Sequence, residues 1–324
     1  MAGKLDRIKA PIANHLEAFE KHFRQSMKSQ VPLLDRITYY IVQRKGKQVR
    51  PIFVFLSAEV CGGVRESTHV AASLVELLHT ATLVHDDVVD DSFERRGFFS
   101  INALWKNKIA VLVGDYLFSQ GLLSALKAKE FRLLEIMSEA VKEMAEGELL
   151  QMEKARKLDI HESVYFDIIR QKTASLIARA CAAGAYSACQ DEAMTEHLRL
   201  FGEKIGIAFQ IKDDLFDLGT DDVGKPRGID IKEKKLTLPI IYALSQADAA
   251  TKKHIIYLIK NKSTKAAVIK EVITFINQSG GIAYATQKME QYTQEAFELL
   301  DQLPDNPARN SLRDLVNYVT EREK

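Results

Sequence analysis

Residues 70–90 read VAASLVELLHTATLVHDDVVD. From 70 to 84 the stretch is apolar almost all round, which suits a helix in the middle of a bundle rather than one on its surface. Its C-terminal end runs straight into Asp86, Asp87 and Asp90. A second strongly apolar helical stretch, 192–218, closes in the same way on Asp213, Asp214 and Asp217.

The chain between and around these segments follows the same period. Seven prolines and sixteen glycines are few for 324 residues, and the intervals between them carry apolar residues at spacings of three and four. The expectation is an all-α fold. Helices are predicted over 34–43, 51–60, 109–128, 131–154, 163–188 and 192–218. Further ones follow over 236–245, 251–259, 265–279, 282–303 and 307–322. One long polar loop, 219–235, interrupts them with three glycines, a proline and alternating charges. With no linker or short-period repeat, residues 1–324 read as a single domain.

A hydrophobic content of 46% is enough for a substantial core. Basic residues number 45 and acidic ones 44, so no global field recruits nucleic acid or an anionic membrane. Any anion site must be built locally. Cys61, Cys181 and Cys189 are odd in number and scattered without metal-ligand spacing, which reads as reduced thiols of a cytoplasmic protein. The N-terminus is charged, and no run of ~18 uncharged residues suggests a membrane span or a signal peptide.

Each acid cluster is DDxxD, and positions i and i+4 share a helical face, so Asp86 pairs with Asp90 and Asp213 with Asp217. Like charges at that spacing repel. Magnesium suits them, because it takes one or two carboxylates and completes its octahedron with water and substrate phosphate oxygens. A single DDxxD is as readily a solvated acidic face; two copies at the ends of apolar helices argue for a site. A calcium loop is excluded, since neither cluster shows the DxDxDG alternation with a glutamate at the twelfth position.

Basic groups stand near the acids in sequence. Arg95 and Arg96 follow the first cluster, and guanidinium forks grip phosphate in a bidentate way. Gly46, Lys47, Arg50 and Pro51 form GKxxRP, with the glycine for a tight turn and the proline for the start of the next helix. That helix N-terminus favours an anion, which makes a second phosphate site. Beyond the second cluster the polar loop supplies Lys225, Asp230 and Lys235.

These residues resemble the trans-isoprenyl diphosphate synthases, or polyprenyl synthetases, over nearly the whole chain. The resemblance rests on GKQVRP at 46–51, ELLHTATLVHDDVVDDSFERRG at 76–97, VLVGDYL at 111–117 and EGELLQ at 146–151. KTASL at 172–176, FQIKDDLFD at 209–217 and GKPRGIDIKEKKLTLP at 224–239 continue it in the family's order. It implies the isoprenoid-synthase helical bundle around a central cavity, and a homodimer packed through the region 100–150. Asp86 and Asp90 would hold two magnesium ions and Asp213 a third, about three in all, bridging an allylic diphosphate that Arg95 also contacts. Lys47, Arg50, His79 and Arg96 would hold isopentenyl diphosphate, while Lys172, Thr173, Gln210 and Lys225 would line the allylic site with Lys235 close by. Two departures stand out. Lys234 occupies a position where the family often has glycine, and Phe99 replaces a frequent proline.

The chemistry so implied is ionisation of an allylic diphosphate, attack by the double bond of isopentenyl diphosphate, and loss of a proton to the released diphosphate. The amide oxygen of Gln210 and main-chain carbonyls near Lys172 and Thr173 would stabilise the cation. A terpene cyclase shares the first motif but usually carries a different second one, and GKQVRP would be idle in it. A non-catalytic subunit of a heteromeric synthase usually loses acid-cluster residues, and both clusters here are intact. Product length is read from Ala81 and Thr82, about one turn before Asp86. Family members that stop at farnesyl or geranylgeranyl carry a bulky residue there. Two small ones leave the cavity floor open and point to a long product, around C30 to C50.

Overall fold

The computed structural model describes residues 3–44, 46–95, 97–158, 161–218 and 228–321. In chain order its helices are α1 (Lys4–Lys9), α2 (Ala13–Ser26), α3 (Pro32–Gln43), α4 (Val49–Val60), α5 (Glu66–Val89), α6 (Ile101–Lys127), α7 (Phe131–Lys157) and α8 (Glu162–Ile169). They continue as α9 (Ser175–Cys189), α10 (Glu192–Leu218), α11 (Ile229–Lys232), α12 (Leu238–Gln246), α13 (Ala249–Lys262), α14 (Ala266–Gln278), α15 (Gly281–Asp301) and α16 (Pro307–Thr320). Among the described residues the strands are β1 (Glu94–Arg95) and β2 (Phe98–Phe99), a short antiparallel hairpin just after the first acid cluster. The all-α expectation stands.

The chain divides into two compact units. The first comprises Met1–Val141, Leu176–Arg199 and Leu303–Asp314; the second comprises Lys142–Ser175, Leu200–Gln302 and Leu315–Lys324. In the first unit α5 is the central element, packed against α2, α4 and α6. Its residues Ala71, Ala72, Leu74, Val75, Leu77, Leu78 and Ala81 are all buried, as an all-round apolar sequence requires. Two glycines let α6 come close. A Cβ on Gly121 would meet Leu74, Leu77 and Leu78, and one on Gly114 would lie 2.1 Å from His85 Nε2. The face Leu74, Leu78, Ala81, His85 is therefore the one α5 turns to α6.

In the second unit the core gathers around α12 and α15, with Leu238, Ile259, Val272, Ile276 and Ala285 buried together. Gly281 lets the start of α15 approach α12, where a Cβ would stand 2.3 Å from Pro239 O.

Two departures from the sequence reading concern the site, and a third concerns α6. The helix predicted over 163–188 is α8, a π-helical turn (Arg170–Ala174) and α9. The helix predicted to start at 51 starts at Val49, after Gln48 in the left-handed region (φ 50°), so Pro51 is its third residue. Thirdly, α6 is long and apolar enough, by length and composition alone, to cross a membrane. A core helix passes the same test, and α6 packs along α5.

Candidate active site

In the first unit the last turn of α5 presents Asp86, Asp87 and Asp90, and they are not equivalent. Asp87 is 4% exposed. Its carboxylate accepts the Arg95 Nε–H at 2.7 Å, and its backbone carbonyl accepts Asn102 Nδ2 at 3.0 Å. Burial pushes the Asp87 carboxyl above its ordinary range while Arg95 pulls it back. Asp87 thus fastens the hairpin and the start of α6 to α5. Asp86 is half-buried and Asp90, the C-cap, is exposed.

The hairpin is also tied to α3. The Arg44 guanidinium lies 3.8 Å from the Tyr40 ring centroid and 4.4 Å from that of Phe98. Tyr40 donates its hydroxyl to Phe99 O at 2.6 Å and meets Trp105 edge to face. This aromatic clamp joins the strand carrying Arg95 to the turn that carries Lys47, which is exposed, and Arg50, which is half-buried. His79 is buried in α5, one turn further from the acids than Thr82, whose hydroxyl donates to His79 O at 2.9 Å.

The two product-length candidates part company here. Thr82 is four residues from Asp86 and keeps to its side of the helix, half-buried. Ala81 is five residues away, rotated by about 140°, and is fully buried on the face turned to α6. Counting by turns alone merges two directions that the helix separates.

In the second unit the acids divide in the same manner. Asp214 is 4% exposed and accepts Tyr165 Oη–H at 2.6 Å and Gln210 Nε2–H at 2.9 Å. Burial raises its carboxyl to about 7, against those two donors. Asp217 accepts the backbone N–H groups of Ile229 and Asp230 at 2.8 and 3.0 Å. It caps α11 and holds the chain that returns after 219–227. Asp213, four residues before it, is half-buried on α10, so the two ends of this DDxxD stand in different surroundings.

The π-helical turn delivers Lys172 and Thr173. Such a turn breaks the regular hydrogen-bond ladder and is frequent at functional sites. Two glycines accommodate it, since a Cβ on Gly147 would stand 2.8 Å from Gln171 Cβ and Lys172 N, and one on Gly206 would stand 2.4 Å from Ala174 Cα. Thr173 donates its hydroxyl to Gln210 Oε1 at 2.9 Å. Lys172 pairs with Glu148 and reaches Gln151 Oε1 at 3.5 Å.

Tyr165, Lys172, Thr173, Gln210, Asp214, Asp230 and Lys235 line one cavity of about 240 Å³. Burial, with Asp217 nearby, raises the Asp230 carboxyl to about 6. Lys235 pairs with Glu233 at 2.5 Å. Lys234, at the position the family often gives to glycine, has φ 59° and so adopts the backbone glycine would take freely. Arg96 and Lys225 lie outside the described residues.

Tyr165, Glu148 and Gln151 were not among the residues singled out from sequence. The last two sit in EGELLQ, where the glycine inside a helical pattern signals a close approach. Tyr165 carries no local signal, as its partner is 49 residues away.

Among the described residues no three His, Cys, Asp or Glu side chains are gathered to enclose a metal. A helical protein whose first unit sets acids beside an arginine and whose second unit holds a lysine-lined polar cavity has, in each unit, groups suited to a phosphate-bearing ligand.

Comparison with known proteins gives the class its name. The chain belongs to the polyprenyl synthetase family, whose model matches residues 31–276, and it is a prenyltransferase. It is 36% identical over 323 residues to a heptaprenyl diphosphate synthase component 2 of Geobacillus stearothermophilus, covering 99% of each chain. A decaprenyl diphosphate synthase structure from Rhodobacter capsulatus superposes with a TM-score of 0.93 at 35% identity, over 98% of this chain and 99% of that one. A geranylgeranyl pyrophosphate synthase structure from Bacteroides thetaiotaomicron gives 0.84 at 40% identity, over 98% and 99%.

Proposed function

We propose that this prenyltransferase condenses isopentenyl diphosphate with an allylic diphosphate, farnesyl or similar, and repeats the step to a long all-trans polyprenyl diphosphate. The observation that carries the reading is the cavity of the second unit, where an amide oxygen, a threonine and two lysines meet beside the second acid cluster. A lysine-rimmed pocket with acceptor oxygens in it suits a substrate that is anionic at one end and becomes cationic at the other.

Asp86 and Asp90 in the first unit, and Asp213 in the second, are the groups we assign to magnesium. When bound, magnesium offsets the charge of the leaving diphosphate. Arg95, held by Asp87, presents its remaining N–H groups to phosphate. Lys47 and Arg50 at the start of α4, with His79 and Arg96, hold isopentenyl diphosphate, and the helix N-terminus adds its preference for an anion. Lys172, Lys225 and Lys235 bind the allylic diphosphate. Gln210 Oε1 faces the ionising carbon and stabilises its positive charge, while the apolar walls keep out water. Ala81 and Thr82 set the product length.

The experiment is an assay of the purified chain with magnesium, farnesyl diphosphate and labelled isopentenyl diphosphate, with product length read by mass. Incorporation into products beyond C20 is expected. No incorporation by the chain alone, with activity restored by a second polypeptide, would favour a heteromeric synthase instead, a reading supported by likeness to a component 2. A homodimer remains our proposal. Leu104, Val111, Leu112, Leu123 and Leu126 form an exposed apolar row on α6, which supports it. Light scattering should give about twice 36.5 kDa. A cytoplasmic location is proposed on the chain's three free cysteines.

A further inference from the structure

Gln210 is an amide, and an amide can sit in its site in two ways. With the oxygen toward the cavity it stabilises a cation, and with the nitrogen there it repels one. Which way it sits is decided by what its neighbours accept and donate. Asp214 Oδ1 lies 2.9 Å from Gln210 Nε2, and a carboxylate oxygen takes a hydrogen from nitrogen but repels an amide oxygen. Thr173 closes the other side by donating its hydroxyl to Oε1 at 2.9 Å. Asp214 in turn is fixed through its second oxygen by the hydroxyl of Tyr165 at 2.6 Å. All four residues line the same cavity.

We propose that Tyr165 is a positioning residue for prenyl transfer: through Asp214 it locks the Gln210 amide with its oxygen, not its nitrogen, toward the ionising carbon. The proposal rests on the assignment of Gln210 to cation stabilisation above. Three features of the geometry support it beyond simple packing. Tyr165 is 4% exposed and its ring meets Phe166 edge to face, yet its hydroxyl goes to the acid rather than to backbone. Asp214 receives both of its side-chain donors from this chain of contacts. The chain ends at the π-helical turn, where Thr173 is held at the distance the amide needs.

The test is a kinetic and thermodynamic double-mutant cycle on the full chain. Tyr165→Phe keeps the ring and removes the hydroxyl. It should lower kcat about tenfold with both KM values within about twofold, because the ground-state diphosphates are held by other groups. In a Gln210→Leu background the same change should alter kcat less than about twofold, since the amide it acts through is gone. A merely structural tyrosine would lower kcat by the same factor in both backgrounds, and that result overturns the proposal. Urea unfolding supplies a readout free of substrates: Tyr165→Phe and Gln210→Leu should be non-additive in stability. Additive effects there also overturn it. Should Tyr165→Phe unfold, Asp214→Asn takes its place, with the same loss of kcat expected and the same independence of background counting against the lock. A parent chain that shows the urea coupling but transfers no prenyl group would overturn the proposed activity while leaving the linkage intact.

Discussion

Replacing Ala81 with phenylalanine puts the product-length reading at risk most directly. Ala81 is fully buried and lies between two close approaches of α5 and α6, Leu78 with Gly121 on one side and His85 with Gly114 on the other. Only a methyl group stands there, about 7.5 Å along the axis from Asp86, at five residues of ~1.5 Å rise each. The substitution adds a ring of six carbons, close to the five of one isoprene unit. If the growing tail runs along the seam between α5 and α6, the ring takes the tail's place and products stop at roughly C15–C20 with turnover retained. If α6 alone fills the seam, the ring overpacks it at about 1–3 kcal/mol and product length does not change. Mass spectrometry of dephosphorylated products, alongside urea unfolding of the same preparation, separates the two. Shortened products from a folded variant are the expected result. Parental chain lengths from a variant that still folds, with stability lowered by overpacking, would refute the reasoning. Thr82→Phe would then be the remaining place for the floor.

Asp86→Ala and Asp213→Ala should each remove about 3 kcal/mol or more of transition-state stabilisation while the protein stays folded. Activity within about threefold of the parent at saturating magnesium would count against the metal assignment. Arg44→Ala should loosen the hairpin from α3 and raise KM for isopentenyl diphosphate severalfold, with a smaller effect on the allylic KM; initial rates at varied concentration of each substrate check this. Lys234→Gly should raise urea stability by about 0.5–1 kcal/mol, since a lysine at φ 59° is strained where glycine is not; a loss of stability would contradict that. Burial pushes the Cys61 and Cys181 thiols up to about 12, so the thiolate fraction grows about tenfold per pH unit up to that value and is small at pH 8. Native-state alkylation of both should be about a thousandfold slower than in urea-unfolded chain, as read by peptide mass spectrometry.

Some of this was legible in the amino-acid sequence for reasons that can be named. The helix over 192–218 was read to its last residue because both ends are marked. Asp191 caps its start, taking the N–H groups of Ala193 and Met194, and the acid cluster closes its end. The helices α1 and α2 went unread, since Ile8, Phe19 and Phe23 are the buried residues of long polar stretches and give a thin stripe. The π-helical turn has no periodicity of its own. Its only trace in sequence is Gly147 and Gly206, two glycines inside helical patterns, and nothing local says what they make room for.

The acid clusters show the limit most clearly. Spacing alone makes the first and last aspartates of each DDxxD a pair and says nothing of the middle one. In both units the second aspartate, Asp87 and Asp214, is 4% exposed and held by side-chain donors of the protein. The donors differ: an arginine eight residues on in one unit, a tyrosine 49 residues back and a glutamine one turn back in the other. The same five-residue motif therefore holds carboxylates in two kinds of surroundings. Its first carboxylate is half-buried on the helix, and its second, turned inward by the helix's own rotation, anchors the neighbouring groups. Rotation by one residue is dictated by sequence, but the anchor exists only if the fold brings a donor to the buried side. That is why spacing marks the two acid clusters, while Tyr165 and its bond to Asp214 are visible only in the fold.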